Sequence, residues 1–220
     1  MEETLYKVSV WILPVLIAIT FHEAAHGYVA WRCGDDTAKN LNRVTFNPLR
    51  HVDLNGTIIA PSLLFLVGAP FLFGWAKPVP VDFMRLNNPR RDMVWVAAVG
   101  PGINLVLAIV SAALLHVALH MPGIAGLWLE DMLSRSILIN VILAVFNMLP
   151  IPPLDGGRVA VGLLPRPFAM LLARLERVGL LIVLLLLVCE FMLDIRILSW
   201  FISGPRDYIL RFIMFLTGHS

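Results

Sequence analysis

His22 and His26 stand four positions apart in one apolar stretch, with Glu23 beside the first of them. On a helix, residues four apart share a face at about 6 Å, so two imidazoles so spaced reach a single metal ion while the carboxylate projects beside it. That donor set suits metal-assisted hydrolysis, in which the imidazoles hold the ion and the carboxylate moves the proton of a water molecule. Five residues, His22-Glu23-Ala24-Ala25-His26, make a short pattern, but Leu5 to Trp31 around them is otherwise almost wholly apolar. Ionisable groups at membrane depth cost about 2.5 to 3.5 kcal/mol each on insertion scales, so three together require a compensating partner, which a bound metal supplies.

A catalytic zinc site takes three protein ligands and leaves a fourth position open. The candidate for the third is Asp155, in Pro150-Ile151-Pro152-Pro153-Leu154-Asp155-Gly156-Gly157. A helix read over Ser134 to Leu149, roughly 16 residues or 24 Å, stops short of a hydrocarbon core before Pro150 breaks it. Asp155 then lies at membrane depth, where irregular backbone is tolerated only when buried or lining a wet cavity. Gly156 and Gly157 are expected to form a sharp turn that aims the carboxylate.

The elements that must position these groups are membrane helices. The 220 residues are 59% hydrophobic and 15% charged, too apolar for an ordinary soluble domain, and the net charge of +2 gives no indication of a nucleic-acid partner. The expected fold is an all-α polytopic membrane protein of about five to six transmembrane helices plus a re-entrant or extended element. It is read as one domain over 1–220, with its core at 5–160 and C-terminal helices at 161–220. Met1-Glu2-Glu3 lacks the basic region of a signal peptide. Cys33 and Cys189 form no metal-binding spacing and are read as small packing residues.

Loop charges set the topology. Arg32 to Asn55 and Lys77 to Arg91 are both basic, which makes both cytoplasmic and leaves Thr57 to Val81 to dip in and return, with Ala76 to Val81 extended by its prolines. That extended edge is a candidate for pairing with a substrate strand. Pro61, Gly68, Pro70 and Gly74 interrupt the dip. Met93 to His120 spans, Met121 to Leu133 is an outer loop with Glu130 and Asp131, and Ser136 to Leu149 returns. Arg158 to Arg177 is again basic, with a short interfacial helix at Phe168 to Leu175, and Val178 to Trp200 crosses outward before an apolar tail at Tyr208 to Leu216. His22, ten residues before Arg32, falls about 10 to 15 Å below the cytoplasmic surface, level with Asp155.

These motifs, with Asn147-x-x-Pro150 and Leu154-Asp155-Gly156, resemble the site-2 protease family of intramembrane zinc metalloproteases. Gly100-Pro101-Gly102-Ile103-Asn104 also matches that family, and Gly74-Trp75-Ala76-Lys77-Pro78-Val79-Pro80 matches its small bacterial and archaeal branch, which lacks PDZ and CBS domains. The likeness covers about residue 10 to 160. The resemblance implies one Zn2+ held by His22, His26 and Asp155, with Glu23 as catalytic base. It implies that Asn147 and Asn104 lie near the substrate, where either can hydrogen-bond an oxyanion or hold a peptide strand. It also implies a multi-pass cell-membrane location, an active site toward the cytoplasm, and a membrane-protein substrate, either a transmembrane segment or a signal-peptide remnant.

The rival from another class is a metal or ion transporter using the same His22, Glu23, His26 and Asp155, since intramembrane ionisable residues also mark ion pathways. No inverted repeat accompanies them. His116 and His120 read as interfacial, Glu190, Asp194 and Arg196 as a surface ion cluster, and Asn140 as a helix-to-helix hydrogen bonder.

Overall fold

A computed structural model describes residues 2–68 and 74–219, so the expected break at Pro70 lies outside the described residues. The described residues are helical, with no strand among them, as the all-α expectation required. In order the helices are α1 (Glu2–Arg32), α2 (Thr37–Asn40), α3 (Ala60–Leu66), α4 (Pro89–Leu119), α5 (Gly123–Asn147), α6 (Asp155–Leu163), α7 (Arg166–Arg174), α8 (Glu176–Met192) and α9 (Ile197–Leu216). By length and composition α1 and α4 are apolar enough to cross a bilayer, and α8 with α9 make a third such run bent by 91°.

Helix α4 is the hub, packed against α1, α5 and α6. Its α5 face is built from small residues, Ala108, Ala112 and Ala118, opposite Leu133, Ile137 and Val141, and α9 closes the seam with Ile213 at 1% exposure. Small residues let helix backbones approach where lipid supplies no hydrophobic drive, so packing contacts carry the association.

Two boundaries differ from the sequence expectation. Helix α5 has 25 residues and starts at Gly123, so the expected outer loop at Met121 to Leu133 is mostly its first turns. Its charges are absorbed by α1: the Tyr6 hydroxyl donates to Asp131 at 2.6 Å, and the Arg135 guanidinium lies 4.9 Å from the Trp11 ring centre. A charged helix end with aromatic partners looks like a loop when only charge is counted. The second difference is the crossing expected over Val178 to Trp200, which breaks after Met192. Asp194 takes the left-handed conformation (φ 52°), and the Ile195 N–H turns back to the Cys189 carbonyl at 2.9 Å. Glu190 does not join the expected ion cluster. It caps α9 by accepting from the Leu198 and Ser199 N–H groups at 3.0 and 3.3 Å and from the Ser199 hydroxyl, while Arg196 pairs with Asp194.

The end of α9 is pinned to α4 by stacked His116 and His219 rings, 3.9 Å between centres, and by His116 Nε2 donating to the Thr217 carbonyl at 2.6 Å. The expected dip is a return: Trp75 N–H donates to the Gly56 carbonyl at 3.1 Å and Thr57 Oγ1 donates to the Trp75 carbonyl at 3.0 Å, so the two limbs of the segment meet. After it, residues 74–82 form neither helix nor strand and lead through the turn at 83–85 to α4.

The Ile213 seam lies toward the Leu115 end of α4, about 20 Å along the helix from Gly100. Ile213→Ala should therefore cost about 2 to 4 kcal/mol of packing and lower the thermal unfolding midpoint in detergent, while metal content is unchanged. Metal loss at full thermal stability would contradict this separation.

Candidate metal centre

Helix α1 carries both histidines on the face turned to α4, where they are 8% and 9% exposed. Each ring is oriented through Nδ1 by an acceptor on α4. The His26 Nδ1–H donates to the Val96 carbonyl at 2.6 Å. The His22 Nδ1 lies 2.6 Å from Asn104 Oδ1. The direction of that second bond follows from a chain with one fixed end. Asn140 Nδ2 donates to the Ser136 carbonyl at 2.9 Å, which turns Asn140 Oδ1 toward Asn104 Nδ2 at 2.8 Å, so Asn104 Oδ1 is left to accept from His22. Both imidazoles are thereby held in the tautomer whose Nε2 is an unprotonated lone pair.

Asp155 closes the cluster from the first residue of α6, itself 6% exposed. Gly156 and Gly157 are helical rather than a sharp turn, and their contribution is close approach. A Cβ on Gly156 would stand 2.2 Å from the Met148 carbonyl oxygen, and one on Gly157 2.3 Å from the Pro152 nitrogen. The far end of α6 is tied to α4 by Arg90, whose Nε donates to the Gly162 carbonyl at 2.8 Å. The carboxylate arrives with Oδ2 3.1 Å from His22 Nε2 and 3.3 Å from His26 Nε2, and the two Nε2 atoms are 3.0 Å apart.

Three acceptor atoms thus face one another, and Asp155 Oδ2 is buried without a hydrogen-bond donor. Such a set is repulsive unless a cation sits among them. Ligand atoms of a tetrahedral zinc site, with bonds of about 2.0 to 2.2 Å, stand about 3.3 Å apart, so the spacing fits. Room is kept by Gly100 of α4, where a Cβ would come within 2.5 Å of His26 Nε2 and 2.6 Å of His22 Nε2. Among the described residues this is the group of three His, Cys, Asp or Glu side chains arranged to hold a metal. Both cysteines are free thiols outside it.

The remaining sequence candidates separate. Glu23 lines the same cavity of about 400 Å³, with Oε2 accepting from the Val79 N–H at 2.7 Å. Asn147, at the end of α5, also lines the cavity, and its amide donates back to the Leu143 carbonyl at 3.0 Å. Asn104 does not line the cavity. It is 0% exposed, behind His22, with both ends of its amide engaged. Sequence gave no sign of this because Asn104 and His22 are brought together only by α1 and α4 packing. Asn140 bonds between helices as expected and in doing so fixes the Asn104 amide. The extended Ala76 to Val81 segment offers a pairing strand mainly carbonyls, since Lys77 and Val79 already donate their N–H groups to His51 and Glu23 and Pro78 and Pro80 have none.

Groups that orient a ligating imidazole tune affinity by about 10- to 100-fold, so Asn104→Leu should weaken zinc binding by that factor in competition with a chromophoric chelator. Unaltered affinity would mean that the Asn104 contact does not hold the His22 tautomer.

The chain is similar to known proteins. Residues 10–134 and 124–189 match the model of Peptidase family M50. The chain is 37% identical over 205 residues to "Putative zinc metalloprotease YwhC" of Bacillus subtilis (strain 168), across 91% of this chain and 89% of that protein. It is 30% identical over 211 residues to "Putative zinc metalloprotease Rip2" of Mycolicibacterium smegmatis, across 92% and 78%. It is 30% identical over 158 residues to "Putative zinc metalloprotease MJ0611" of Methanocaldococcus jannaschii, across 70% and 72%. No solved structure matches the chain at comparable significance. With the family model spanning His22, His26 and Asp155 and two of these relatives matching about nine tenths of the sequence, the chain belongs to peptidase family M50, the site-2 protease family.

Proposed function

We propose that the protein is an intramembrane zinc metalloprotease that hydrolyses peptide bonds of membrane-spanning substrates within or near the bilayer. His22, His26 and Asp155 hold one zinc ion and Glu23 is the catalytic base. The observation that carries this is the buried trio of His22, His26 and Asp155 ligand atoms facing one another, beside a carboxylate, on a helix of bilayer length. A zinc ion held by three ligands supplies Lewis acidity, polarising a carbonyl and lowering the pKa of water.

The residues of the chain do the rest. Glu23 has one carboxylate oxygen engaged by Val79, so Oε1 is the atom to take a proton from the attacking water and return it to the leaving nitrogen. Asn147 is the side chain placed to hold a peptide group in the cavity. A transmembrane helix has its own backbone bonds satisfied, so the substrate unwinds before cleavage, and the cavity wall of extended backbone at 76–81 suits an extended peptide.

Most of the 17 Lys and Arg side chains fall in the segments from Arg32 to Arg91 and from Arg158 to Arg177, both of which contribute residues to the cavity wall. By the charge rule these face the cytoplasm, in a multi-pass protein of the cell membrane whose partners are lipid and a transmembrane or signal-remnant substrate. Nothing in the fold favours a transporter: the described residues gather their potential ligands in one place and not along a path.

Glu23→Gln separates binding from chemistry. The variant should keep its zinc and lose cleavage of a membrane-anchored reporter by at least about 100-fold, the contribution of a general base. Retained cleavage would defeat the mechanism.

A further inference from the structure

We infer that the backbone N–H of Val79 is the positioning group of the catalytic carboxylate, and that the extended strap at 74–82 exists in part to deliver it. This rests on Glu23 being the base. The strap contains Pro78-Val79-Pro80, in which Val79 alone retains an N–H, and that N–H is the one donated to Glu23 Oε2, at 2.7 Å. The prolines restrict both themselves and the residues before them to extended backbone, so the donor is presented by a stretch that cannot fold into a helix.

The strap is fixed on both sides of Val79 by groups other than Glu23. Lys77 N–H donates to the His51 carbonyl at 2.9 Å, and Arg43, 8% exposed, donates to the Lys77 carbonyl at 2.7 Å. Beyond the prolines, Asp82 N–H donates to Oδ2 of Asp35, which is 0% exposed. Neither Arg43 nor Asp35 touches the site, and both hold the segment that does.

Helix α1 is shaped to receive it. Gly27 follows Glu23 by four residues and so shares its face. A Cβ there would stand 3.0 Å from Val79 Cγ1 and 3.1 Å from Val44 Cγ2. The bare glycine lets the isopropyl group seat on α1 while the N–H reaches the carboxylate. With Oε2 held from outside the helix, the Glu23 side chain is confined to one direction. The strap also lines the cavity, so a peptide seated on it bears directly on the element that aims the base.

The test replaces Val79 by its α-hydroxy acid through suppressor-tRNA incorporation, turning the N–H into an ester oxygen and keeping the side chain. Zinc-loaded, full-length protein is assayed in detergent on a quenched fluorescent peptide with an apolar segment of about 20 residues broken by Asn-Gly. The expected result is a fall in kcat of about 10- to 100-fold, the scale of one hydrogen bond to a charged group. KM should stay within about twofold and zinc stoichiometry should not change. Gly27→Val, which keeps the N–H and pushes the strap off α1, should lower kcat in the same range with zinc retained. An unchanged kcat in the ester protein overturns the inference. A rise in KM alone overturns it by making the strap a substrate contact, and loss of zinc in both proteins overturns it by making the strap structural. Glu23→Gln run alongside separates the failures. Cleavage retained there removes the base itself, whereas cleavage lost there and unaffected in the ester protein removes only the role of Val79.

Discussion

Two imidazole lone pairs and a carboxylate oxygen, gathered within 3.3 Å of one another inside an apolar bundle, are unstable unless something positive joins them. The surrounding fold is arranged to tolerate and direct that concentration of acceptors. Helix α4 carries the Nδ1 partners of both rings, and at Gly100 it withdraws every side-chain atom from the space between them. Helix α6 is seated at its start by two glycines and held at its end by Arg90, so Asp155 arrives from a rigid support. Remove the cation and the cluster has no internal means of neutralising itself other than taking up a proton.

The same logic extends outward through Asn104, Asn140 and Ser136. Each amide has one orientation forced on it by the next, ending at a backbone carbonyl that can only accept. A buried network satisfied at every member makes the tautomer of His22 a property of the α4 and α5 interface and not of α1 alone. This is why the hub of the bundle is also the support of the site. The apolar seam around Ile213 lies farther along α4 and serves packing, while the polar chain serves the rings.

Much of this was legible in the sequence. The i, i+4 spacing of His22 and His26 needs only a helix, and an apolar run of that length leaves no other regular structure. Depth along the sequence points to Asp155, and the structure brings it to the histidines, although α5 is longer than the helix over Ser134 to Leu149 that the sequence suggests. Asp131 and Arg135 continue α5 because Tyr6 and Trp11 receive them, and such partners are not visible along one helix. The return of the Thr57 to Trp75 segment followed from loop charge. The break after Met192 did not, because it depends on a left-handed Asp194 and on Glu190 turning to cap the next helix. The place of Asn104 and the anchoring of the strap by Asp35 and Arg43 are long-range contacts, and one sequence holds no signal for them.

The most direct test of the centre is X-ray absorption at the zinc edge of the purified, metal-loaded protein. The expected result is a first shell of nitrogen and oxygen at about 2.0 to 2.2 Å, with outer-shell scattering from two imidazoles, one of which is lost in His22→Ala. A sulfur scatterer at about 2.3 Å, or a shell with a single imidazole in the unaltered protein, would contradict it.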